Sequence, residues 1–225
     1  MRLALVADVH SNLHALEAAS ELIVGRSPDI VVCAGDVVGY GAFPNECCAH
    51  MERLCTRPIS GNHDRASVSR DVSRMNAYAA AAALWTADRL GDDSFRFLSA
   101  LQPSARFEAG DRRIAVFHGS PSDPDEYVGG DAVTEQMLVD ADCDILVLGH
   151  THIPHVRRFD RGLVVNPGSV GQPRDGDHRG SFAVLETERL ECEVVRFEYP
   201  VKDAADAILS AGLPRILAER LPIGR

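Results

Sequence analysis

The fold is decided by two stretches, LALVADVHSNLHALEAASELIVG at residues 3–25 and DIVVCAGDVV at residues 29–38. Each stretch contains a short aliphatic run that ends close before an aspartate. The segment between the runs carries apolar side chains at helical spacing and stops at Gly25, with Pro28 beyond it. A strand, a helix and a second strand in this order indicate the opening of a largely parallel α/β sheet.

Eight strand-like runs are predicted along the chain. They are Leu3–Ala7, Ile30–Ala34, Arg57–Ser60, Arg113–Phe117, Ile145–Leu148, Leu163–Asn166, Ser181–Leu185 and Glu193–Tyr199. Several are continuous aliphatic runs, which suits central strands that are covered on both faces. The last two flank a turn-like Glu-Thr-Glu-Arg segment and predict a hairpin. This mixture predicts an α/β fold in which two mixed β-sheets pack face to face as a sandwich, with helices outside.

Helix-like segments separate and follow these runs. They are Asn12–Val24, Pro44–Leu54, Arg74–Leu90 and Lys202–Leu221, the last broken at Gly212–Pro214. The alanine-rich part of the third segment is a strong signal, because alanine has the best intrinsic helix propensity. We therefore expect a single domain over residues 1–225, with a helical insertion around 66–105 and a C-terminal helical segment at 202–221.

Composition narrows the class of partner. The chain has 225 residues and a formal net charge of −10, which argues against a nucleic-acid polymer or an anionic membrane surface as partner. No apolar run approaches the roughly 18 residues that a membrane span needs. The first strand is predicted within three residues of Met1, so we expect no signal peptide and a cytoplasmic location. The six cysteines show no CxxC spacing and are expected to be reduced thiols.

Seven polar residues follow the predicted strands, each where a strand ends. They are Asp8, His10, Asp36, Asn62, His118, His150 and His152. Ligands of open α/β sheets bind outside the carboxyl ends of the strands, so this placement predicts that all seven lie in one crevice. Singly, any of them could be a turn or cap residue. Together they indicate a site for two metal ions.

The types of these residues indicate which ions and which ligand the crevice would take. Four imidazoles, one amide and two carboxylates form a mixed nitrogen and oxygen set, which suits manganese, iron or zinc better than magnesium or calcium. No thiolate belongs to the set, which argues against a structural zinc site. Two divalent ions would leave the centre positive, because only two carboxylates oppose them. A phosphate ester is then the natural ligand.

Motif order adds a family resemblance. DVH (8–10), GDVV (35–38), GNHD (61–64), HGS (118–120) and GHTH (149–152) together resemble the calcineurin-like metallophosphoesterases. NPGSVGQPRDG (166–176) is similar to the small, single-domain prokaryotic branch of that family. The resemblance implies a four-layer fold with two sheets between helices. It also implies hydrolysis of a phosphoester bond.

The resemblance further implies two divalent transition-metal ions, with Asp36 bridging them. One ion would be bound by Asp8, His10, Asp36 and His152, and the other by Asp36, Asn62, His118 and His150. As a hypothesis, a metal-bridging hydroxide attacks phosphorus in line with the leaving oxygen. His63 would donate a proton or a hydrogen bond to the leaving group or to a phosphoryl oxygen. The alternative is that His63 only positions Asn62.

One departure from the family narrows the substrate. Members that act on phosphoproteins carry the pattern GDxxDRG, whereas this chain has Gly39, Tyr40 and Gly41 in the last three places. The arginine that would grip a phosphoryl group is absent, and so is the aspartate that would orient the histidine. A phosphodiesterase or a small-molecule phosphatase is therefore favoured over a phosphoprotein phosphatase.

Three further residues are candidates for contact with substrate. Asn12 could tie the first loop to the site or simply cap the following helix. Tyr40 could line the rim of the site or serve packing, and Arg174 could reach a substrate phosphate or belong to a solvated loop.

The predicted activity is hydrolysis of a small soluble phosphate ester, with nucleotides among the candidates. The other classes considered are a non-catalytic metal-binding scaffold on the same fold and a nuclease. A nuclease needs a basic groove, and the sequence has no Lys/Arg cluster to provide one. The sequence leaves the oligomeric state open, a homo-oligomer included.

Overall fold

A computed structural model describes all 225 residues and contains ten strands. In chain order they are β1 (Arg2–Val6), β2 (Ile30–Cys33), β3 (Arg57–Pro58), β4 (Ser104–Ala109), β5 (Arg112–Phe117), β6 (Ile145–Val147), β7 (His155–Arg158), β8 (Leu163–Asn166), β9 (Gly180–Glu186) and β10 (Glu191–Phe197). They form two five-stranded sheets, in the orders β10-β9-β1-β2-β3 and β4-β5-β6-β8-β7. Each sheet combines parallel and antiparallel pairs, so the prediction of two mixed sheets is confirmed.

Side-chain alternation along β1 explains how the first sheet is covered on both faces. Leu3 and Leu5 are fully buried in the apolar layer between the two sheets, where Val116 of β5 meets them from the other side. Ala4 and Val6 point the opposite way and join the core beneath the helices. Because successive side chains of a strand point to opposite faces, a continuous aliphatic run is what a doubly covered strand requires.

Eight helices flank the sandwich. They are α1 (Leu13–Gly25), α2 (Pro44–Leu54), α3 (Asn62–Ser69), α4 (Ala77–Ala87), α5 (Asp92–Ala100), α6 (Gln136–Asp140), α7 (Val201–Ser210) and α8 (Arg215–Glu219), and a 3₁₀ turn at Leu221–Ile223 follows. Helices α1, α2, α7 and α8 share the core on the outer face of the first sheet, and α6 packs on the outer face of the second. None of the helices has the length and apolar character of a membrane span.

Several elements differ from the sequence-based prediction at their ends. The predicted helix Arg74–Leu90 begins only at Ala77, because Asn76 caps it by accepting hydrogen bonds from the N–H groups of Tyr78 and Ala79. The predicted strand Arg57–Ser60 shortens to two residues. The C-terminal segment is helical and broken near Gly212, as predicted.

Two strands and three helices were not predicted. Strands β4 and β7 lie at the two edges of the second sheet, where most of their side chains are exposed or half-buried. Edge strands need no aliphatic run, so β4, which begins at Ser104 where the predicted helical insertion around 66–105 ends, gave no signal of its own. Helices α3 and α5 lie on either side of the alanine-rich α4 and carry mostly polar sequences. Helix α6 is a single short turn of five residues.

Replacing Phe182 by Ala should destabilise the fold by about 3–5 kcal/mol, because this fully buried ring of β9 would leave a cavity. Urea unfolding followed by circular dichroism measures the loss. Phe95→Ala is the matched control, since the Phe95 side chain is 46% exposed on α5. A Phe182→Ala variant as stable as the control would contradict this account of the core.

Candidate metal centre and active site

The seven predicted ligands lie together at one edge of the sandwich. Asp8 and His10 follow β1, Asp36 follows β2, and Asn62 opens α3. From the second sheet, His118 follows β5, and His150 and His152 follow β6. All except Asn62 are buried. Both sheets therefore supply ligands to the same crevice, at the carboxyl ends of their central strands.

The backbone at this edge is held in an unusual conformation. Five of the ligand residues have positive φ: Asp8 (54°), His10 (51°), Asp36 (57°), His150 (69°) and His152 (59°). This left-handed region costs a non-glycine residue roughly 1–2 kcal/mol, and it persists where the surrounding structure enforces it. Here backbone hydrogen bonds between neighbouring strand ends do so, such as Asp8 N–H to Gly35 O at 3.0 Å.

The first group of ligand atoms comes from Asp8, His10 and His152. The Nε2 atoms of the two histidines lie 3.1 Å apart. Asp8 Oδ1 lies 3.7 Å from His10 Nε2 and 3.4 Å from His152 Nε2, and it accepts no hydrogen bond. A buried carboxylate oxygen without a partner indicates that a cation belongs beside it.

The second group comes from Asp36, His118 and His150, with Asn62 beside them. His118 Nε2 lies 3.0 Å from His150 Nδ1, 3.1 Å from Asn62 Oδ1 and 3.3 Å from Asp36 Oδ2. The same Asp36 Oδ2 lies 3.6 Å from His10 Nε2 in the first group. Asp36 thus stands between the two groups, where a bridging ligand would be.

Each of the four histidines donates one ring N–H to a backbone carbonyl. Nδ1 is the donor in His10, to Val38 O, in His118, to Ala34 O, and in His152, to Gln172 O, whereas Nε2 is the donor in His150, to Asp125 O. These bonds fix the tautomers, so the remaining nitrogens carry lone pairs. Lone pairs that face one another at about 3 Å repel unless a cation lies between them.

Three of the four histidines meet this requirement, whereas His118 and Asp8 would each have to release a proton when an ion binds. Burial lowers the pKa of His10 and of His152 well below the usual range, and burial together with the His118 charge lowers the pKa of His150 to about 3. These rings are therefore neutral, as metal ligation requires. Burial opposes the charge of His118, but the Asp36 carboxylate outweighs it and raises the pKa of His118 to about 9. Burial raises the pKa of Asp8 to about 8.

The residues present fit two divalent ions. The donors are nitrogen and oxygen atoms only. They form the two groups above and a third, overlapping group of His10, Asp36 and His63, which places a His63 ring nitrogen next to the atoms that would hold the ions. The chain residues that this arrangement brings together are the seven predicted from the strand ends.

Asp64 is a positioning residue that the sequence did not reveal as such. Its Oδ2 accepts hydrogen bonds from the N–H groups of Asp36 and Gly61, each at 2.9 Å, and its Oδ1 accepts from Val38 N–H at 3.0 Å. The carboxylate therefore fixes the turn that carries Asp36. Its place in the GNHD motif was the only available signal.

Asn166, the last residue of β8, and Ser169, in the loop that follows, support the site. Asn166 Nδ2 donates to Gly149 O at 2.7 Å and to Thr151 Oγ1 at 3.0 Å, which holds the turn that carries His150. Ser169 Oγ donates to Asp8 O at 2.7 Å. The polar part of the NPGSVGQPRDG segment is thus explained by the turns that it holds.

His63 lies beside both groups. Its N–H donates to Asp36 Oδ1 at 2.8 Å, and its ring centroid lies 4.9 Å from that of His10 and 4.2 Å from that of Tyr40. Burial lowers the pKa of His63 to about 4, so the ring is neutral. A Cβ at Gly39 would lie 2.4 Å from His63 Nδ1, so glycine is required where the family pattern has aspartate.

The three predicted substrate contacts are placed differently. Asn12 Oδ1 accepts from Ala15 N–H as the cap of α1, while its Nδ2 donates to Gly171 O at 2.8 Å, so its amide both caps and ties the loop. Tyr40 is buried against His63 and His10. Arg174 Nη2 donates to Gln172 Oε1 at 2.9 Å, and its guanidinium lies 5.6 Å from the Tyr40 ring centroid.

A cleft of about 810 Å³ opens beside the site. Asn62, His63 and His150 line it, together with further residues along α3 and Ala79 of α4. Tyr127 lies at the mouth, with its ring stacked on that of His150 at 3.9 Å. The cleft has room for a small organic molecule attached to a phosphoryl group.

A model of the calcineurin-like phosphoesterase superfamily domain matches residues 1–190 of this chain. The chain belongs to this superfamily. It is 34% identical to the uncharacterized protein MJ0912 of Methanocaldococcus jannaschii over 99% of its own length and 98% of that protein. It is 23% identical to the phosphodiesterase YfcE of Escherichia coli over 84% of its own length and 90% of YfcE.

Solved structures agree with the fold. A metallophosphoesterase from Sphaerobacter thermophilus superposes with a TM-score of 0.86 at 33% identity, covering 100% of this chain and 99% of that one. The protein PH1004 from Pyrococcus horikoshii superposes with a TM-score of 0.89 at 22% identity, covering 100% and 98%. The sandwich of two sheets between helices is thus the family fold, as the motif order implied.

Replacing Asp64 by Ala should weaken both the fold and the metal site. Buried N–H groups would lose their acceptor, which costs on the order of 3 kcal/mol, and metal affinity should fall by roughly 10–100-fold. Urea unfolding and metal analysis after dialysis measure the two effects. Asp131→Ala, at an exposed loop position, should change neither. Full metal content in Asp64→Ala would show that Asp64 does not position Asp36.

Proposed function

We propose that this chain is a dinuclear metal-dependent hydrolase that cleaves a phosphoester bond in a small soluble substrate. The observation that carries the proposal is the convergence of imidazole lone pairs and carboxylates into two groups, with Asp36 Oδ2 within 3.6 Å of a histidine nitrogen of each. Membership of the calcineurin-like phosphoesterase superfamily supports the same reaction class.

Asp8, His10, Asp36 and His152 would hold one ion, and Asp36, Asn62, His118 and His150 the other. When bound, two such ions supply Lewis acidity and an activated water nucleophile. Manganese, iron and zinc suit this nitrogen and oxygen donor set. Burial keeps His10, His150 and His152 neutral, and the backbone carbonyls that accept from the rings orient all four histidines.

His63 would act on the substrate rather than on the ions. It lines the cleft, and its ring Nδ1 has no hydrogen-bond partner in the protein. A neutral imidazole at this place can donate its ring N–H to the leaving oxygen or to a phosphoryl oxygen. The hydrogen bond from the His63 backbone N–H to Asp36 Oδ1 holds the His63 ring beside the candidate metal ligands.

The substrate is proposed to be a small phosphodiester or phosphate ester. The net charge of −10 disfavours a nucleic-acid strand, which would require a basic groove. Gly39 and Tyr40 occupy the places of the aspartate and arginine found in phosphoprotein phosphatases. The similarity to YfcE, a phosphodiesterase, supports the diesterase alternative.

A non-catalytic scaffold is the second candidate function. Loss of catalysis should be accompanied by loss of a ligand or of the histidine in GNHD. Every one of these residues is present and lies at the same site, which favours the enzyme.

A hydrolysis screen with metal analysis tests the proposed function. In Mn²⁺ the protein should turn over bis(p-nitrophenyl) phosphate, p-nitrophenyl phosphate, a cyclic nucleotide or a dinucleoside polyphosphate. Asp36→Asn should lose one or both ions and lower kcat by at least about 10³-fold, because Asp36 serves both groups. No turnover of any ester by protein with two ions bound would favour the scaffold instead.

Replacing His63 by Ala should lower kcat by about 10²–10⁴-fold while both ions remain bound. Steady-state kinetics and metal analysis on the same sample separate the two effects. His178→Ala is a suitable control, since His178 lies far along the chain in a loop and pairs with Glu198. An unchanged kcat with full metal content would exclude a role for His63 in the reaction.

A further inference from the structure

Two guanidinium groups pack against the same tyrosine beside the site. Arg220, which follows α8, has its guanidinium carbon 4.4 Å from the Tyr40 ring centroid, and that of Arg174 lies 5.6 Å from the same centroid. The two arginines come from segments 46 residues apart in the chain. Both are partly buried, so neither extends freely into solvent.

Neither arginine has a carboxylate partner. Other arginines of the same region do, since Arg179 pairs with Asp177 and Arg196 pairs with Asp175. Nε and Nη2 of Arg220 are buried and donate no hydrogen bond. Burial and the nearby Arg174 charge lower the pKa of Arg220 to about 10, which still leaves it charged at neutral pH. Two like charges held together without an anion indicate that an anion belongs there.

Tyr40 connects this guanidinium pair to the candidate active site. Its ring centroid lies 4.2 Å from that of His63 and 4.6 Å from that of His10. The charges of Arg174 and Arg220 both act to lower the pKa of His63. The arginines therefore add positive charge next to a centre that two divalent ions would already make positive. One phosphodiester group, with a single negative charge, cannot balance both.

We propose that Arg174 and Arg220 bind a second anionic group of the substrate, next to the phosphoryl group held at the metal centre. The substrate class is then an organic ester with at least two linked phosphoryl groups, such as a nucleoside polyphosphate. This proposal rests on the proposed function. Arginine suits the role because its planar fork donates two parallel hydrogen bonds to phosphate oxygens.

Competitive inhibition tests the proposed role of Arg174 and Arg220, with a reporter substrate that carries no second phosphoryl group. Hydrolysis of bis(p-nitrophenyl) phosphate in excess Mn²⁺ is inhibited in parallel by AMP and by α,β-methylene ADP, which cannot be cleaved at its bridge. Wild-type protein should bind α,β-methylene ADP at least about 10-fold more tightly than AMP, as charge-assisted hydrogen bonds predict. Calorimetric titration of both nucleotides into metal-loaded protein gives the same ratio without turnover.

Variants of the two arginines should remove this preference. Arg220→Ala and Arg174→Ala should each reduce the ratio of the two inhibition constants by about 5-fold or more, and Arg220→Lys should retain part of it. Arg215→Ala is the matched control at the start of α8, the helix that Arg220 follows, because Arg215 is exposed and pairs with Glu219. It should keep the full ratio and the full activity.

Three results would overturn the proposal. The first is equal binding of AMP and α,β-methylene ADP by wild-type protein, and the second is an unchanged ratio in both alanine variants. The third is a loss of bis(p-nitrophenyl) phosphate hydrolysis with the ratio intact, which would assign the arginines to the reacting phosphoryl group or to packing. A protein that hydrolyses no ester but shows the ratio by calorimetry would contradict the proposed function and leave the guanidinium pair supported.

Discussion

The whole site depends on residues in the left-handed backbone conformation, which turn the chain sharply at the carboxyl ends of the central strands. A strand that continued straight beyond Val6 or Cys33 would carry its aspartate away from the crevice. The positive φ values at Asp8, Asp36 and His150 turn each chain at once, so that carboxylates and imidazoles face one another. Packing of the sheets and hydrogen bonds between the turns offset the backbone cost. The fold therefore brings the candidate ligand atoms together without any ion.

The same geometry links the two sheets to each other. Strands β1 and β2 supply ligands from the first sheet, and β5 and β6 supply ligands from the second. The apolar layer between them, which contains Leu5 of β1 and Val116 of β5, sets the distance at which the two halves of the site meet. Asp64 fixes the part of the site that the first sheet supplies, because its carboxylate joins the turn of Asp36 to the start of α3. Sheet packing and metal ligation are thus parts of a single arrangement.

The central strands, and the convergence of the seven polar residues at their ends, could be predicted because their signals are local. An aliphatic run followed by a polar residue marks both the strand and the point where it ends. Edge strands β4 and β7 lack that signal, since solvent covers much of their surface. The role of Asp64 depends on three backbone N–H groups that meet only in the folded chain. Arg220 stood in an ordinary amphipathic segment, and nothing near it in sequence connects it to Tyr40.

The second motif lacks the arginine found in phosphoprotein phosphatases, and the structure places two other arginines near that position. Tyr40 stands at the arginine position of the motif. Its ring packs against the guanidinium groups of Arg174, from the loop after β8, and of Arg220, from the end of α8. A positive charge is therefore restored beside the site by residues that no local pattern connects. Under the proposal for Arg174 and Arg220, the C-terminal helices contribute to substrate binding as well as covering the first sheet. The net charge of −10 argues against partners that need a broad basic surface, whereas the two arginines without carboxylate partners add a local positive charge beside the site.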